Sequence, residues 1–131
     1  MRVRCIAEKP TPEQVAALGN LIRGAKQVFG VILGTEYLVF GMSVVGGVVL
    51  VDVAQEFEQL VPVPLCLFEI TDPRVPGLWE ARAQEDGTLT LWPPSFYERE
   101  YYFQDLAEQA PGVSEDFRRV RRLLEVEGAI G

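Results

Sequence analysis

The sequence contains no histidine. That absence removes Ser-His and Cys-His nucleophile pairs, the usual general base near neutral pH and the commonest transition-metal ligand. Catalysis would have to rest on paired carboxylates, a perturbed lysine or tyrosine, or a bound magnesium ion. Lysine is scarce as well: Lys9 and Lys26 stand against ten arginines. The net charge is −7. So acidic a chain repels phosphate backbones, which argues against a nucleic-acid partner. The longest apolar run, near Val44–Val51, is broken by Gly46-Gly47 and is far too short to cross a bilayer. Met1-Arg2-Val3-Arg4-Cys5 carries charge without an apolar stretch, so no signal peptide is expected there and a cytoplasmic location is predicted. The two cysteines, Cys5 and Cys66, sit in apolar surroundings and are expected to be buried, reduced thiols.

What remains is ordinary globular material. A chain of 131 residues, 48% hydrophobic and 24% charged, reads as one domain spanning 1–131 that can bury its core without disulfides or metals. Val3 and Cys5 alternate with Arg2 and Arg4, as in a strand with one buried face. Thr11, Pro12 and Gln14 form a helix start with a capping box. Val15, Leu18, Ile22 and Ala25 continue it as an apolar stripe, and the helix is expected to end near Gly24.

Strand signals follow. Tyr37–Ser43 and Val48–Ala54 flank Gly46-Gly47, a pair suited to a two-residue hairpin turn. That register sets Val44 against Val49, Met42 against Val51 and Phe40 against Val53, an entirely apolar face. Ser43–Leu50 and Gly41–Asp52 fall on the other face, which is expected to be partly wet. Pro62 and Pro64 punctuate the approach to an apolar strand, Leu65–Ile70, closed by a turn at Thr71-Asp72-Pro73. A second hairpin runs from Trp79 to Trp92. A three-residue loop at Glu85-Asp86-Gly87 sorts its faces, pairing Leu89 with Ala83 and Leu91 with Ala81. A short helix is expected over Tyr97–Glu108, stopped by Pro111-Gly112. A last helix is expected from Ser114 with Gly128 past its end, burying Phe117, Val120, Leu123 and Leu124. Five short strands with tight turns predict an α+β fold built on a small, strongly bent antiparallel sheet. An SH3-like, partly open barrel is expected, with one N-terminal and two C-terminal helices.

Few residue patterns point to chemistry. Gly19–Lys26 superficially echoes a phosphate loop but lacks the Ser or Thr after lysine and lies in a helical segment. Glu69, Asp72 and Glu80 could pair as carboxylates, yet each fits a strand or turn role. Arg118, Arg119, Arg121 and Arg122 are spread around a helix with acidic partners four residues away, at Glu115 and Glu125. The aromatic residues are different. The chain has two tryptophans, four tyrosines and seven phenylalanines, and six of these lie within Trp92–Phe103. Some must be core, but tyrosine and tryptophan also suit protein interfaces. Trp92, Phe96, Tyr97, Glu98, Tyr101 and Tyr102 are therefore the candidate interface residues. No catalytic residue, metal ligand or cofactor is expected.

Three stretches share a pattern: Gly34-Thr35-Glu36-Tyr37-Leu38-Val39-Phe40-Gly41, Val63-Pro64-Leu65-Cys66-Leu67-Phe68-Glu69-Ile70, and Asp86-Gly87-Thr88-Leu89-Thr90-Leu91-Trp92-Pro93-Pro94-Ser95-Phe96-Tyr97. Together they resemble a group of small uncharacterised bacterial proteins, some of which are similar to immunity proteins of toxin systems. The resemblance covers about Val3 to Leu124 and is structural in character, so it carries over no catalytic or binding residue. The missing histidine, the acidic balance and the tyrosine-rich cluster point to a non-catalytic protein-binding module, and the resemblance implies an immunity-type inhibitor of a basic toxin domain as one form of it. A small-ligand protein or carboxylate enzyme, and a homo-oligomeric structural protein, are the alternatives.

Overall fold

The structure, a computed structural model, describes residues 1–55 and 58–130. Among these the chain forms seven strands and three α-helices. The strands are β1 (Arg2–Cys5), β2 (Glu36–Val45), β3 (Val48–Gln55), β4 (Gln59–Pro64), β5 (Phe68–Asp72), β6 (Glu80–Ala83) and β7 (Leu89–Trp92). The helices are α1 (Pro12–Leu18), α2 (Tyr102–Ala107) and α3 (Val113–Ile130). All pairings are antiparallel. The sheet runs β4-β3-β2-β1-β5, with β7 pairing the far half of β2 and β6 pairing β7. Helices packed on an antiparallel sheet bear out the α+β class; the sheet has seven strands where five were expected, and it does not close on itself. Among the described residues no helix is long and apolar enough to cross a membrane.

The turns follow the local chemistry. Gly46 and Gly47 take φ of +54° and +82°, the positive values that a tight two-residue hairpin demands and that cost a side chain most. Around them Val44 pairs with Val49, Met42 with Val51 and Ser43 with Leu50, as the sequence predicts. In the second hairpin Ala83 pairs with Leu89 and Ala81 with Leu91. The Gln84 N–H donates to the Thr88 carbonyl at 2.8 Å, closing the three-residue loop.

The first hairpin departs from its expected register at one residue. A bulge between Val39 and Gly41 sets Val39, not Phe40, opposite Val53. The extra residue changes the parity of β2. Val39 joins Val3, Val51, Val53 and Val63 in a core under α1 and the loop that follows it. Phe40 turns to the opposite face, where Leu60, Leu106, Val113, Phe117 and Val120 form a second core with α2 and α3. Gly41 and Asp52, expected to be partly wet, are buried on that second face.

Other element ends also move. Helix α1 keeps its capping box, Gln14 N–H to Thr11 Oγ1 and Thr11 N–H to Gln14 Oε1. It stops at Leu18 rather than Gly24, because Gly19 adopts φ +53° and ψ −126°, a conformation open to glycine; Ala25 is consequently exposed. Pro62 and Pro64 lie inside a strand, β4, instead of before one. A 3-10 turn at Leu65–Leu67 separates it from β5. The helix expected over Tyr97–Glu108 is a 3-10 turn at Pro94–Glu98 followed by α2. Helix α3 starts one residue before Ser114 and includes Gly128. Leu123 faces outward, whereas Phe117, Val120 and Leu124 are buried.

Phe117 stacks on Phe40 with ring centroids 4.8 Å apart, and both rings are enclosed. Phe117→Ala should lower unfolding free energy by about 3–5 kcal/mol in urea titrations, the usual range for an emptied aromatic site. Leu123→Ala should cost less than about 1 kcal/mol. Equal costs at the two positions would contradict this orientation of α3.

Candidate functional site

Strand β7 ends at Trp92, and Pro93-Pro94 then turns the chain into the 3-10 segment that carries Phe96 and Tyr97. A proline cannot donate to a strand ladder, so extended pairing ends here. The indole of Trp92 is the hub of the region. Its ring centroid lies 6.4 Å from that of Phe96, 5.1 Å from Tyr97 and 5.8 Å from Phe103. Phe96 in turn stacks on Tyr102 at 4.3 Å. Between this cluster and the start of α2 lies a cleft of about 300 Å³, at the small end of the ~300–1,000 Å³ typical of ligand pockets.

Of the six candidate interface residues, Trp92, Phe96, Tyr101 and Tyr102 line this cleft. Their exposures separate their roles. Tyr101 is 61% exposed, whereas Tyr102 is 4% and Phe96 is 1% exposed. The Tyr102 hydroxyl donates to Asp116 Oδ2 at 2.8 Å, and burial together with that acceptor pushes its pKa up. Phe96 and Tyr102 are thus core residues whose edges reach the cleft. Tyr97 and Glu98 lie outside the lining. The Tyr97 hydroxyl donates to the Glu80 carbonyl at 2.9 Å and lies 2.7 Å from Thr90 Oγ1. Arg82 covers its ring, with Cζ 4.1 Å from the centroid, so Tyr97 fastens the β6–β7 hairpin to the 3-10 turn. The sequence reading omitted Phe103, Arg99 and Gln104 from the interface, and they line the cleft with Glu100.

Beneath Trp92 lies a carboxylate that the sequence pattern placed on a partly wet face and not among the candidate site residues. Asp52 is 1% exposed, and its Oδ2 accepts from Trp92 Nε1 at 3.0 Å. Gly41 makes the space: a Cβ there would stand 2.5 Å from Trp92 Cδ1 and 3.0 Å from Asp52 Oδ2. Burial pushes the Asp52 pKa up from 3.8 to about 7, against the smaller opposing pull of the Trp92 hydrogen bond. A charged residue within Val-Leu-Val-Asp-Val-Ala, opposite a glycine, was the available signal.

The three carboxylates that the sequence singles out each face a separate arginine. Glu69 pairs with Arg4, Asp72 with Arg74 and Glu80 with Arg82. Asp72 also accepts from the Arg74 backbone N–H, and the Arg74 hydrogen bonds hold its carboxyl well below the usual range. Among the described residues no group of His, Cys, Asp or Glu side chains is placed to hold a metal. On α3, Arg119 pairs with Asp116 instead of Glu115, and Arg121 lies over Phe117 with Cζ 4.9 Å from its centroid. Cys5 and Cys66 are both free thiols, Cys5 buried and Cys66 half-buried. Comparison with family models, curated proteins and solved structures finds no match to this chain.

Asp52 makes stability pH-dependent with a defined sign. Its folded pKa lies above its unfolded one, so its favourable contribution is complete below about pH 4 and is lost as pH rises through about 7. The difference in pKa corresponds to roughly 4 kcal/mol. Asp52→Asn keeps an acceptor for Trp92 and cannot ionise. Its stability relative to wild type should therefore climb between pH 4 and pH 8, read by urea midpoints; a constant difference would show that Asp52 does not titrate as described. Gly41→Ala should displace the indole and shift Trp92 fluorescence even where the protein stays folded.

Proposed function

We propose that this protein is a non-catalytic, cytoplasmic protein-binding module whose interface is the aromatic cleft at the start of α2. One observation carries the reading. Tyr101 stands 61% exposed beside a cleft walled by Trp92 and Phe103, a placement that leaves most of a large aromatic side chain in solvent. Rigid amphipathic rings at the edge of a pocket are the usual energetic anchors of protein interfaces. The surface around them favours a basic partner, since the net charge is −7 and Glu98 and Glu100 form no ion pair among the described residues. An acidic inhibitor of a basic toxin domain, the form implied by the resemblance to immunity-like proteins, would use this surface and gain association rate from opposite charge.

Two features bear on the alternatives. Glu69, Asp72 and Glu80, the carboxylates that an enzyme would need, are each neutralised by a separate arginine. Self-association draws support from a second exposed apolar area, where Ile6, Ile32 and Leu33 stand out near the β1 exit.

Immobilised wild-type protein should capture a basic protein in stoichiometric amount from a lysate of its native cells. Tyr101→Ala should reduce capture at least ~10-fold while leaving the thermal midpoint nearly unchanged, because Tyr101 is exposed. Raised salt should slow association. Capture unaffected by Tyr101→Ala would move the interface elsewhere. A concentration-dependent dimer with no heterologous partner would favour self-association.

A further inference from the structure

We propose that the cleft accepts one arginine side chain of the basic partner, its guanidinium laid against the rings of Trp92 and Tyr101 and paired with Glu100. The inference rests on the protein-binding reading above and names the chemical group which that reading leaves open.

The charges of the cleft select a cation. Among the described residues Arg99 is its one lining cation, and its guanidinium is already committed. Nη1 pairs with Asp105 Oδ2 at 3.3 Å, and Nη2 donates to the Pro111 carbonyl at 2.9 Å. Glu100 also lines the cleft, yet among the described residues it has no ion pair or side-chain hydrogen bond. With Arg99 neutralised internally, the charge left over at the cleft is negative. An anionic or purely apolar side chain would leave the Glu100 carboxylate without a counter-charge at the rim of the contact.

Guanidinium groups already lie over other aromatic rings of this fold. Arg82 lies over Tyr97 at 4.1 Å, and Arg121 lies over Phe117 at 4.9 Å and Phe40 at 5.7 Å. In each case a guanidinium of this chain lies against an aromatic ring. Tyr97 is also the immediate neighbour of Trp92 in the cluster. The walls of the cleft are aromatic too, and among the described residues no arginine lies over them, Arg99 being turned to Asp105 and Pro111. A planar guanidinium stacks on a ring and pairs with a carboxylate at once, which an ammonium does less well. The volume, about 300 Å³, suits one long side chain rather than a larger ligand.

The test uses Nα-acetyl-arginine amide as probe, with Nα-acetyl-citrulline amide as its uncharged isostere. The full-length protein is titrated at fixed pH by NMR. The Trp92 indole N–H, assigned by comparison with Trp79→Phe, and the Tyr101 ring signals are followed. The arginine probe should give saturable millimolar shifts at both residues. Binding should be at least ~5-fold weaker for the citrulline probe and for Glu100→Gln, and ~10-fold weaker in Tyr101→Ala, as expected for a cation on a partly exposed ring. Both substitutions are at exposed positions, so folding is maintained and can be checked in the same spectra. Equal affinity for the two probes, or shifts absent from Trp92 and Tyr101, would overturn the proposal. If a captured partner still depends on Tyr101 in that event, only the arginine assignment fails. If neither probe nor partner engages the cleft, the binding reading fails with it.

Discussion

Strand β2 has to serve two cores, and a single extra residue lets it do so. An uninterrupted strand would hold Val39 and Gly41 on one face and Phe40 on the other, keeping strict alternation. The bulge instead leaves Val39 opposite Val53 and turns both Phe40 and Gly41 toward the helices. Phe40 then provides the ring on which Phe117 stacks, and through it α3 is fixed to the sheet. Gly41 provides the hollow that Trp92 and Asp52 share. Removing the bulge would send Phe40 into the valine-lined core and leave α3 without its main contact. The docking of the C-terminal helices and the position of the cleft both descend from that local irregularity.

The same hollow carries an energetic cost. A carboxyl group enclosed with one donor is poorly solvated in its charged form, and the rise in the Asp52 pKa expresses this. An apolar side chain at position 52 would relieve the cost but would leave Trp92 Nε1 buried without an acceptor. Trp92 therefore has its indole N–H held from below by Asp52 and its ring flanked by Phe96, Tyr97 and Phe103. A ring held at both ends loses little conformational freedom when something packs against it, which is the property a recognition surface needs.

How much of this could be read from residues alone varied with the range of the forces involved. The Thr11–Gln14 capping box, the Gly46-Gly47 turn and the Glu85–Gly87 loop were legible because each is decided within about four residues. The bulge was not legible. Phe40 is as apolar as the valines around it, and only the presence of a second core on the far side decides which way it turns. Strand β4 was hidden by Pro62 and Pro64, whose lack of a donor is tolerated at a sheet edge. The aromatic cluster was legible as a cluster. The division of labour within it was not, because Tyr101 and Tyr102 are adjacent and alike, and they part company through contacts of Tyr102 with Phe96 and with Asp116, some fourteen residues on.

The sheet edges have a consequence for how this molecule can meet others. Its free margins are β4, β5 and β6. Strand β4 carries two prolines, β5 begins and ends within reach of the charged pairs Arg4–Glu69 and Arg74–Asp72, and β6 is four residues long with Glu80 and Arg82 on it. Prolines, charges and brevity are the devices by which natural sheets discourage a foreign strand from extending them. Backbone ladders, which join almost any sequence to any other, are poorly supported at all three margins. A strand added at any of these margins would gain little, so side chains are the better supported means by which such a surface can make contact, and side chains discriminate between partners where a backbone ladder does not.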